Sequence, residues 1–281
     1  MLIGVGEAGY QGLPFEERCR TTQELGFTYM EIGIGDTVVG QIPLDSNEKM
    51  VRSFVDCIEQ YNLKTPLVCV DNDFTVANRY DLQKRVDRVC REISLSKKFN
   101  ATHIRLFTGF TRIEDMTEQM WENLFIAFDE VNRAATRHGI QIAVETHADL
   151  EEADGGYYHY QSSSTDWNAL NRLLEELPKE IGINFDSGNL RVFAQSSLLE
   201  YVDLLNPRVN YCHLKDWIEN PDGSWSAAAI GDSDFDWKPV IDRLVYNGLY
   251  IIEYEPIHDL REGIQRSVAY LKSIGKDLQF K

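Results

Sequence analysis

Ile142-Ala143-Val144-Glu145, Ile181-Gly182-Ile183-Asn184-Phe185-Asp186, Val209-Asn210-Tyr211-Cys212-His213 and Tyr250-Ile251-Ile252-Glu253 are four short apolar runs, and each ends in a residue able to ligate a divalent metal. Runs of this length, flanked by helix-like stretches, read as strands buried on both faces. A charge buried at such a strand end is costly unless it is paired or metal-bound. Two Glu, one Asp and one His at four successive strand ends therefore mark a site.

Outward from these runs, the same alternation of apolar run, polar turn and amphipathic stretch fills the chain. Strand candidates begin at Leu2, Thr28, Thr65, His103, Ile140, Ile181, Val209 and Tyr250. One helical stretch runs from Pro14, at a first-turn position, to Leu25, and closes at Gly26. Others span Leu82 to Lys98 and Glu118 to His138, and later ones start near Thr165, Ser197, Trp237 and Glu262. Eight such pairs, strand first and helix last, predict an α/β fold: a closed (β/α)8 TIM barrel forming a single domain over residues 1–281. The rival is an open doubly wound sheet with a Gly-rich phosphate turn after its first strand. Gly4, Gly6 and Gly9 formally match that fingerprint. No clear ribose-binding acid ends the second strand, where Glu31 is a poor substitute, so the glycines read as a tight turn.

Composition narrows the function classes. Lys and Arg total 28 against 45 Asp and Glu, a net charge of −17, which argues against a nucleic-acid partner. No apolar stretch approaches the ~20 residues needed to span a bilayer, and the N-terminus lacks a basic n-region, so no membrane partner and a cytoplasmic location are expected. The five cysteines are scattered without a C-x-x-C pair, which indicates neither a zinc ribbon nor a disulfide framework.

In a (β/α)8 barrel the C-terminal strand ends surround one mouth. Glu145, Asp186, His213 and Glu253 would converge there and offer three carboxylates and an imidazole. That donor set suits one divalent ion, with Mn²⁺ the expected one and Mg²⁺, Co²⁺ or Zn²⁺ as alternatives. Side-chain alternation adds neighbours. His147 lies two beyond Glu145, and the other reading of it is an exposed loop histidine. Lys215, two beyond His213, would neutralise an anionic intermediate or a phosphate, with Asp216 orienting it. Glu255, two beyond Glu253, would hold a substrate hydroxyl or a basic residue. Asn189 lies three past Asp186. Arg105 in the fourth strand faces the mouth or forms a buried ion pair.

The strings AVETH, GINFDSGNL, YCHLKDW and YIIEYE resemble the sugar phosphate isomerase/epimerase superfamily, the xylose-isomerase-like barrels. That group includes ketose 3-epimerases, hydroxypyruvate isomerase, inosose dehydratase and, more distantly, endonuclease IV. The resemblance extends over nearly the whole chain, through GFTYMEIG and AIGDSDFDW. It implies a Glu-Asp-His-Glu metal tetrad at Glu145, Asp186, His213 and Glu253, with Glu145 and Glu253 also the proton-transferring pair. Asn189 departs from the histidine of the ketose 3-epimerases and matches a ribulose-phosphate epimerase branch.

The implied function is a metal-dependent isomerase or epimerase of a sugar or sugar phosphate acting through an enediolate, with His147, Asn189, Lys215, Arg105 and Glu255 as substrate-binding candidates. The alternative is a dehydratase of a cyclitol or sugar acid such as an inosose, and a third reading is a non-catalytic sugar-binding barrel. An endonuclease IV activity would need more histidines than the six present. The partner implied is a small-molecule sugar, with a homo-oligomer expected. The Gly- and Tyr-rich segment 151–160 reads as a loop over the ligand. The preferred role of Thr165 is a helix N-cap. Trp217 and Trp225 are candidates for stacking on a sugar or for packing.

Overall fold

The computed structural model describes residues 1–36, 39–194 and 197–281. Eight parallel strands form the central sheet: β1 (Leu2–Val5), β2 (Ile32–Ile34), β3 (Leu67–Val70), β4 (His103–Leu106), β5 (Gln141–Glu145), β8 (Gly182–Asp186), β9 (Val209–Leu214) and β12 (Leu249–Ile252). Their order is β1-β12-β9-β8-β5-β4-β3-β2. The two ends meet where Val5 N–H donates to Tyr29 O (3.1 Å) and Glu31 N–H to Val5 O (2.9 Å). The sheet thus closes on itself as a TIM barrel.

Helices cover the outside: α1 (Phe15–Glu24), α2 (Glu48–Gln60), α3 (Arg79–Ser96), α4 (Glu118–His138), α5 (Trp167–Glu176), α6 (Ser187–Ala194), α7 (Leu198–Leu205), α8 (Lys238–Arg243) and α9 (Leu260–Ser273). The longest, α4, shows why such segments are helical. Thr117 caps it by accepting from Met120 N–H, Arg137 and His138 sit in its last turn, and Gly139 ends it with a left-handed φ of 66°. Trp121, Leu124, Phe128, Val131 and Ala135 recur at helical spacing and are buried. Removing the Phe128 ring from that stripe would cost about 3–5 kcal/mol.

Alternation along the strands sorts the barrel interior into layers. Leu67, Ala143, Tyr211, Leu249 and Ile251 form an apolar floor together with Leu2 and Tyr29. One alternation further along the same strands come Glu31, Glu145, His213 and Glu253, and beyond them His147, Lys215 and Glu255. Asp186 stands opposite His213, whereas His213 stands opposite Ile251 of the floor and Glu145 opposite Asn184, so the polar layer is staggered from strand to strand.

Two features were not legible in the sequence pattern. The segment expected as a covering loop is a hairpin, β6 (Asp149–Ala153) and β7 (Gly156–Tyr160). It joins β10 (Asp216–Glu219) and β11 (Trp225–Ala228) in a four-stranded antiparallel sheet of order β10-β11-β7-β6. This small sheet is built from the segments that follow β5 and β9, so it stands on the rim of the mouth. Arg112, in the loop after β4, ties the hairpin down: it meets Asp149 at 2.9 Å and Glu151 at 2.8 Å and lies 3.4 Å from the Tyr160 ring centre. The turn after β1 is tight, as expected. A side chain at Gly9 would stand 2.0 Å from the carbonyl oxygen of Tyr254.

Candidate metal centre

Four strand ends deliver four donors to one point. One ligand atom from each of Glu145, Asp186, His213 and Glu253 lies within 4.8 Å of the others, and all four residues are buried. His213 Nδ1 is the hub, 3.7 Å from Glu145 Oε1, 3.8 Å from Asp186 Oδ2 and 3.3 Å from Glu253 Oε2. Asp186 Oδ2, His213 Nδ1 and Glu253 Oε2 are buried and have no hydrogen-bond partner. Leaving such atoms unpaired costs about 1–3 kcal/mol each, so their convergence fits a cation.

The charge balance fits one as well. Five carboxyl groups, of Glu31, Glu145, Asp186, Glu253 and Glu255, stand with three basic groups, Arg105, Lys215 and His213, so acids outnumber bases in the barrel. Arg105 Nε lies 2.8 Å from Glu145 Oε2, and Lys215 Nζ lies 3.3 Å from Glu253 Oε2 and closer still to Glu255. Burial opposes ionisation of Glu145 and Glu253. Arg105 and His213 outweigh it at Glu145 and hold that pKa below the usual range. At Glu253, His213 and Lys215 hold the pKa well below it. Asp186 goes the other way: burial, reinforced by Glu253 and Glu145, pushes its pKa well up against the pull of Lys215.

The imidazole is set from behind. His213 Nε2 lies 3.0 Å from Glu31 Oε1, which also accepts from the Tyr211 hydroxyl, while Glu31 Oε2 accepts from Glu7 N–H at 3.0 Å. A carboxylate on Nε2 keeps a proton on that nitrogen and makes Nδ1, aimed at the cluster, the atom whose lone pair a metal would use once its own proton is shed. Burial disfavours the imidazolium, yet Glu253 and Glu31 outweigh it and raise the His213 pKa well above its ordinary value. Glu31, a poor ribose acid by its sequence position, faces His213 because it lies two residues beyond Tyr29 of the apolar floor.

The remaining candidates divide by position. Arg105, Lys215 and Glu255 lie at the cluster. His147 is half-buried between Phe107 and Phe110, with Nδ1 2.6 Å from Ala148 O. Burial lowers its pKa, so the ring is neutral and Nε2 is left as an acceptor. Asn189 is fully buried, and both ends of its amide are engaged. Its Nδ2 donates to Thr146 O (3.2 Å) and its Oδ1 accepts from Trp217 Nε1 (3.3 Å), while its backbone N–H donates to Asp186 Oδ1 (2.8 Å). In this structure it holds Asp186 in place and presents no spare atom to a ligand.

Asp216 does not orient Lys215. It accepts from Arg191, Trp217 N–H, Ser233 and Trp237 Nε1 and organises the loop after β9. Thr165 is not the cap of α5: Asp166 accepts from Ala169 N–H (2.9 Å), and Thr165 Oγ1 accepts from Ser162 N–H instead. Trp217 and Trp225 are both buried packing residues.

Two polar residues went unnoticed in the sequence. Asn184, two before Asp186, has both amide atoms buried and unpartnered. His159 on β7 sits 4.6 Å from the Trp217 ring with both ring nitrogens in the same state. Parity on β8 would have found the first. The second needed the hairpin.

The family described as xylose isomerase-like TIM barrel matches residues 19–274. An inosose dehydratase of Lactiplantibacillus plantarum is 24% identical over 161 residues, which are 50% of this chain and 48% of that protein, so the match spans about half the length of the curated relative. The structure of the probable 3-DHS dehydratase AsbF from Bacillus anthracis superposes with a TM-score of 0.76 at 14% identity, covering 97% of this chain and 99% of that one. The 3-keto-D-glucoside 4-epimerase YcjR from E. coli gives 0.72 at 14% identity, over 96% and 98%. With a family match over most of its length and a closed eight-stranded barrel to carry it, the chain belongs to the xylose isomerase-like TIM-barrel family.

Proposed function

We propose that the protein is a divalent-metal-dependent isomerase or epimerase of a sugar or sugar phosphate, with Glu145, Asp186, His213 and Glu253 as ligands and Glu145 and Glu253 as the proton-transferring pair. The observation that carries this is the convergence of four buried donors, three of them with unpartnered ligand atoms. A bound Mn²⁺, or Mg²⁺, Co²⁺ or Zn²⁺ in its place, would supply positive charge to the two oxygens of an α-hydroxy carbonyl as the enediolate develops.

The protein's own groups do the rest. Glu145 and Glu253 approach the cluster from different strands: the carboxylate that removes the proton becomes the acid that returns it to the neighbouring carbon, and delivery to the opposite face is made by the other once it has taken up a proton from water. Arg105 keeps Glu145 ionised and Lys215 keeps Glu253 ionised, which sets both as bases in the resting state. Burial of the cluster keeps bulk water from quenching the intermediate.

The test is deuterium incorporation from D2O into ketoses, ketose phosphates and inososes with Mn²⁺ present. Glu145→Gln is expected to abolish it while circular dichroism stays unchanged; exchange at the wild-type rate in that variant refutes the assignment. The second reading is a dehydratase, favoured by the dehydratase activity in the name of the curated relative. It passes through the same enediolate and then expels a β-hydroxyl, and a new enone absorbance separates it from isomerisation. A protein that binds no Mn²⁺ in calorimetry would instead be a sugar-binding barrel.

A further inference from the structure

We infer that the substrate is uncharged: a free keto-sugar or cyclitol bearing neither phosphate nor carboxylate. The inference rests on the sugar-enzyme proposal above and narrows it.

The mouth has almost no positive charge to offer. Residues 6–14, 35–47, 71–78, 146–166 and 253–259, which follow β1, β2, β3, β5 and β12, contain no Lys or Arg. The loop after β4 contributes Arg112, and residues 215–237 after β9 contribute Lys215. Both are consumed, Arg112 by Asp149 and Glu151 of the hairpin, and Lys215 by Glu253 and Glu255. Arg105, deeper in the barrel, is paired with Glu145, and Arg191 on α6 with Asp216. A phosphate dianion is recognised by a free guanidinium or ammonium, or by converging backbone N–H groups. The side chains supply neither cation unspent.

In the loop after β9 the backbone donors are spent too. TIM barrels that bind phosphate commonly do so with the loops after their seventh and eighth strands. Here the loop after β9, the seventh barrel strand, turns its donors on an acid of its own. Asp216 Oδ2 accepts from Gly231 N–H (3.2 Å), Ser233 N–H (3.4 Å), the Ser233 hydroxyl (2.8 Å) and Trp237 Nε1 (2.9 Å), while its Oδ1 accepts from Trp217 N–H (2.8 Å). A carboxylate of the protein occupies the cradle a phosphate would need. At the start of α6, Asp186 Oδ1 accepts from Asn189 N–H, and at the start of α5 Asp166 accepts from Ala169 N–H.

What the rim offers instead is neutral hydrogen-bonding capacity. His159 on β7 packs against Trp217, whose ring also lies 4.9 Å from Lys215 Nζ. Both nitrogens of His159 are buried without a partner. Burial and the nearby Lys215 charge lower its pKa to about 3, so the ring is a neutral donor and acceptor pair suited to a hydroxyl.

Calorimetry on the Mn²⁺-loaded protein tests this with a ketohexose, its 6-phosphate, an inosose and inorganic phosphate, alongside the deuterium-exchange assay. An uncharged member is expected to bind at least about tenfold more tightly than the phosphate ester, with no competition from inorganic phosphate. His159→Phe should weaken that binding about tenfold and His159→Gln should recover part of it, with Mn²⁺ affinity unchanged as the check on folding. Tighter binding of the phosphate ester, or binding of no uncharged member, overturns the inference. Binding of the uncharged sugar without exchange or water loss upholds it and refutes the catalytic proposal alone.

Discussion

Glu31→Gln separates a carboxylate that tunes the cluster from one that merely fills the barrel. In the wild type, Glu31 Oε1 faces His213 Nε2 and the Tyr211 hydroxyl, and Oε2 faces Glu7 N–H. An amide of the same shape has one acceptor and one donor end. Either the donor end meets Glu7 N–H, or it meets His213 Nε2 and pushes the proton to Nδ1, the atom needed by the ion. The charge is lost in both cases. A unit charge roughly 7 Å from the cluster, across one imidazole ring, is worth about 2 kcal/mol at an effective dielectric constant near 20. A divalent ion carries one unit more than the proton it displaces, so that unit is what the variant forfeits. The expected loss is about 30-fold in Mn²⁺ affinity, inside the range of about 10–100-fold for partners of metal-bound histidines. Titration calorimetry reads it, with far-ultraviolet circular dichroism as the folding check. Tyr211→Phe is the control: it removes a neutral donor, leaves the Glu31–His213 contact, and should change affinity less than about threefold. A folded Glu31→Gln protein that binds Mn²⁺ within threefold of wild type refutes the reasoning.

Mn²⁺ binding should expel a proton, because the metal-free cluster holds His213 protonated at neutral pH. The calorimetric enthalpy will then vary with the ionisation enthalpy of the buffer, and affinity will rise with pH; an enthalpy independent of buffer contradicts the raised pKa. Glu92 on α3 is buried, and burial raises its pKa to about 7 against 4.5 in the unfolded chain. The folded state therefore binds the extra proton, and stability falls as pH rises from about 4.5 through 7, by up to about 3 kcal/mol. Glu92→Gln should abolish that slope and raise the melting temperature at pH 8 more than at pH 5, read by differential scanning calorimetry. Arg112→Ala releases the hairpin from the loop after β4. Its half-exposed ion pairs add little to global stability, but hydrogen-exchange protection over residues 149–160 should drop by about fivefold or more. Unchanged protection would mean that β11 alone holds the hairpin.

The barrel was legible because its determinants are local. Each strand is a short run whose apolar stretch and terminal donor can be read without knowing its neighbours, and α4 carries its cap, stripe and glycine stop in sequence order. What the pattern hid depends on pairing between distant segments. The hairpin 149–160 reads as loop because its residues are polar and half-buried, and nothing local announces that Trp225 will lie beside Tyr157. Thr165 lost the capping role to Asp166 because a hydroxyl turned toward Ser162 could not also serve α5. Glu31 was visible but had no role in the pattern, since its partner His213 is 182 residues away.

The same distinction explains why substrate class proved harder to read than metal chemistry. The four proposed ligands sit at strand ends, where alternation fixes their direction, so sequence spacing alone brings them together. The residues that decide what else enters the mouth sit on loops, where a charge signals nothing until its partner is known. Lys215 reads from the sequence as a counter-charge for an anionic intermediate or a phosphate. Beside Glu253 and Glu255 it is instead an internal cation that offsets part of the acid the cluster accumulates. Asp216, its neighbour, reads as an accessory to it and instead takes the backbone donors on which a phosphate would depend. One residue apart, at the junction of β9 and β10, the two remove both means of holding an anion in the loop after β9. The protein therefore places its negative charge where a metal can use it and leaves neutral groups to meet the substrate.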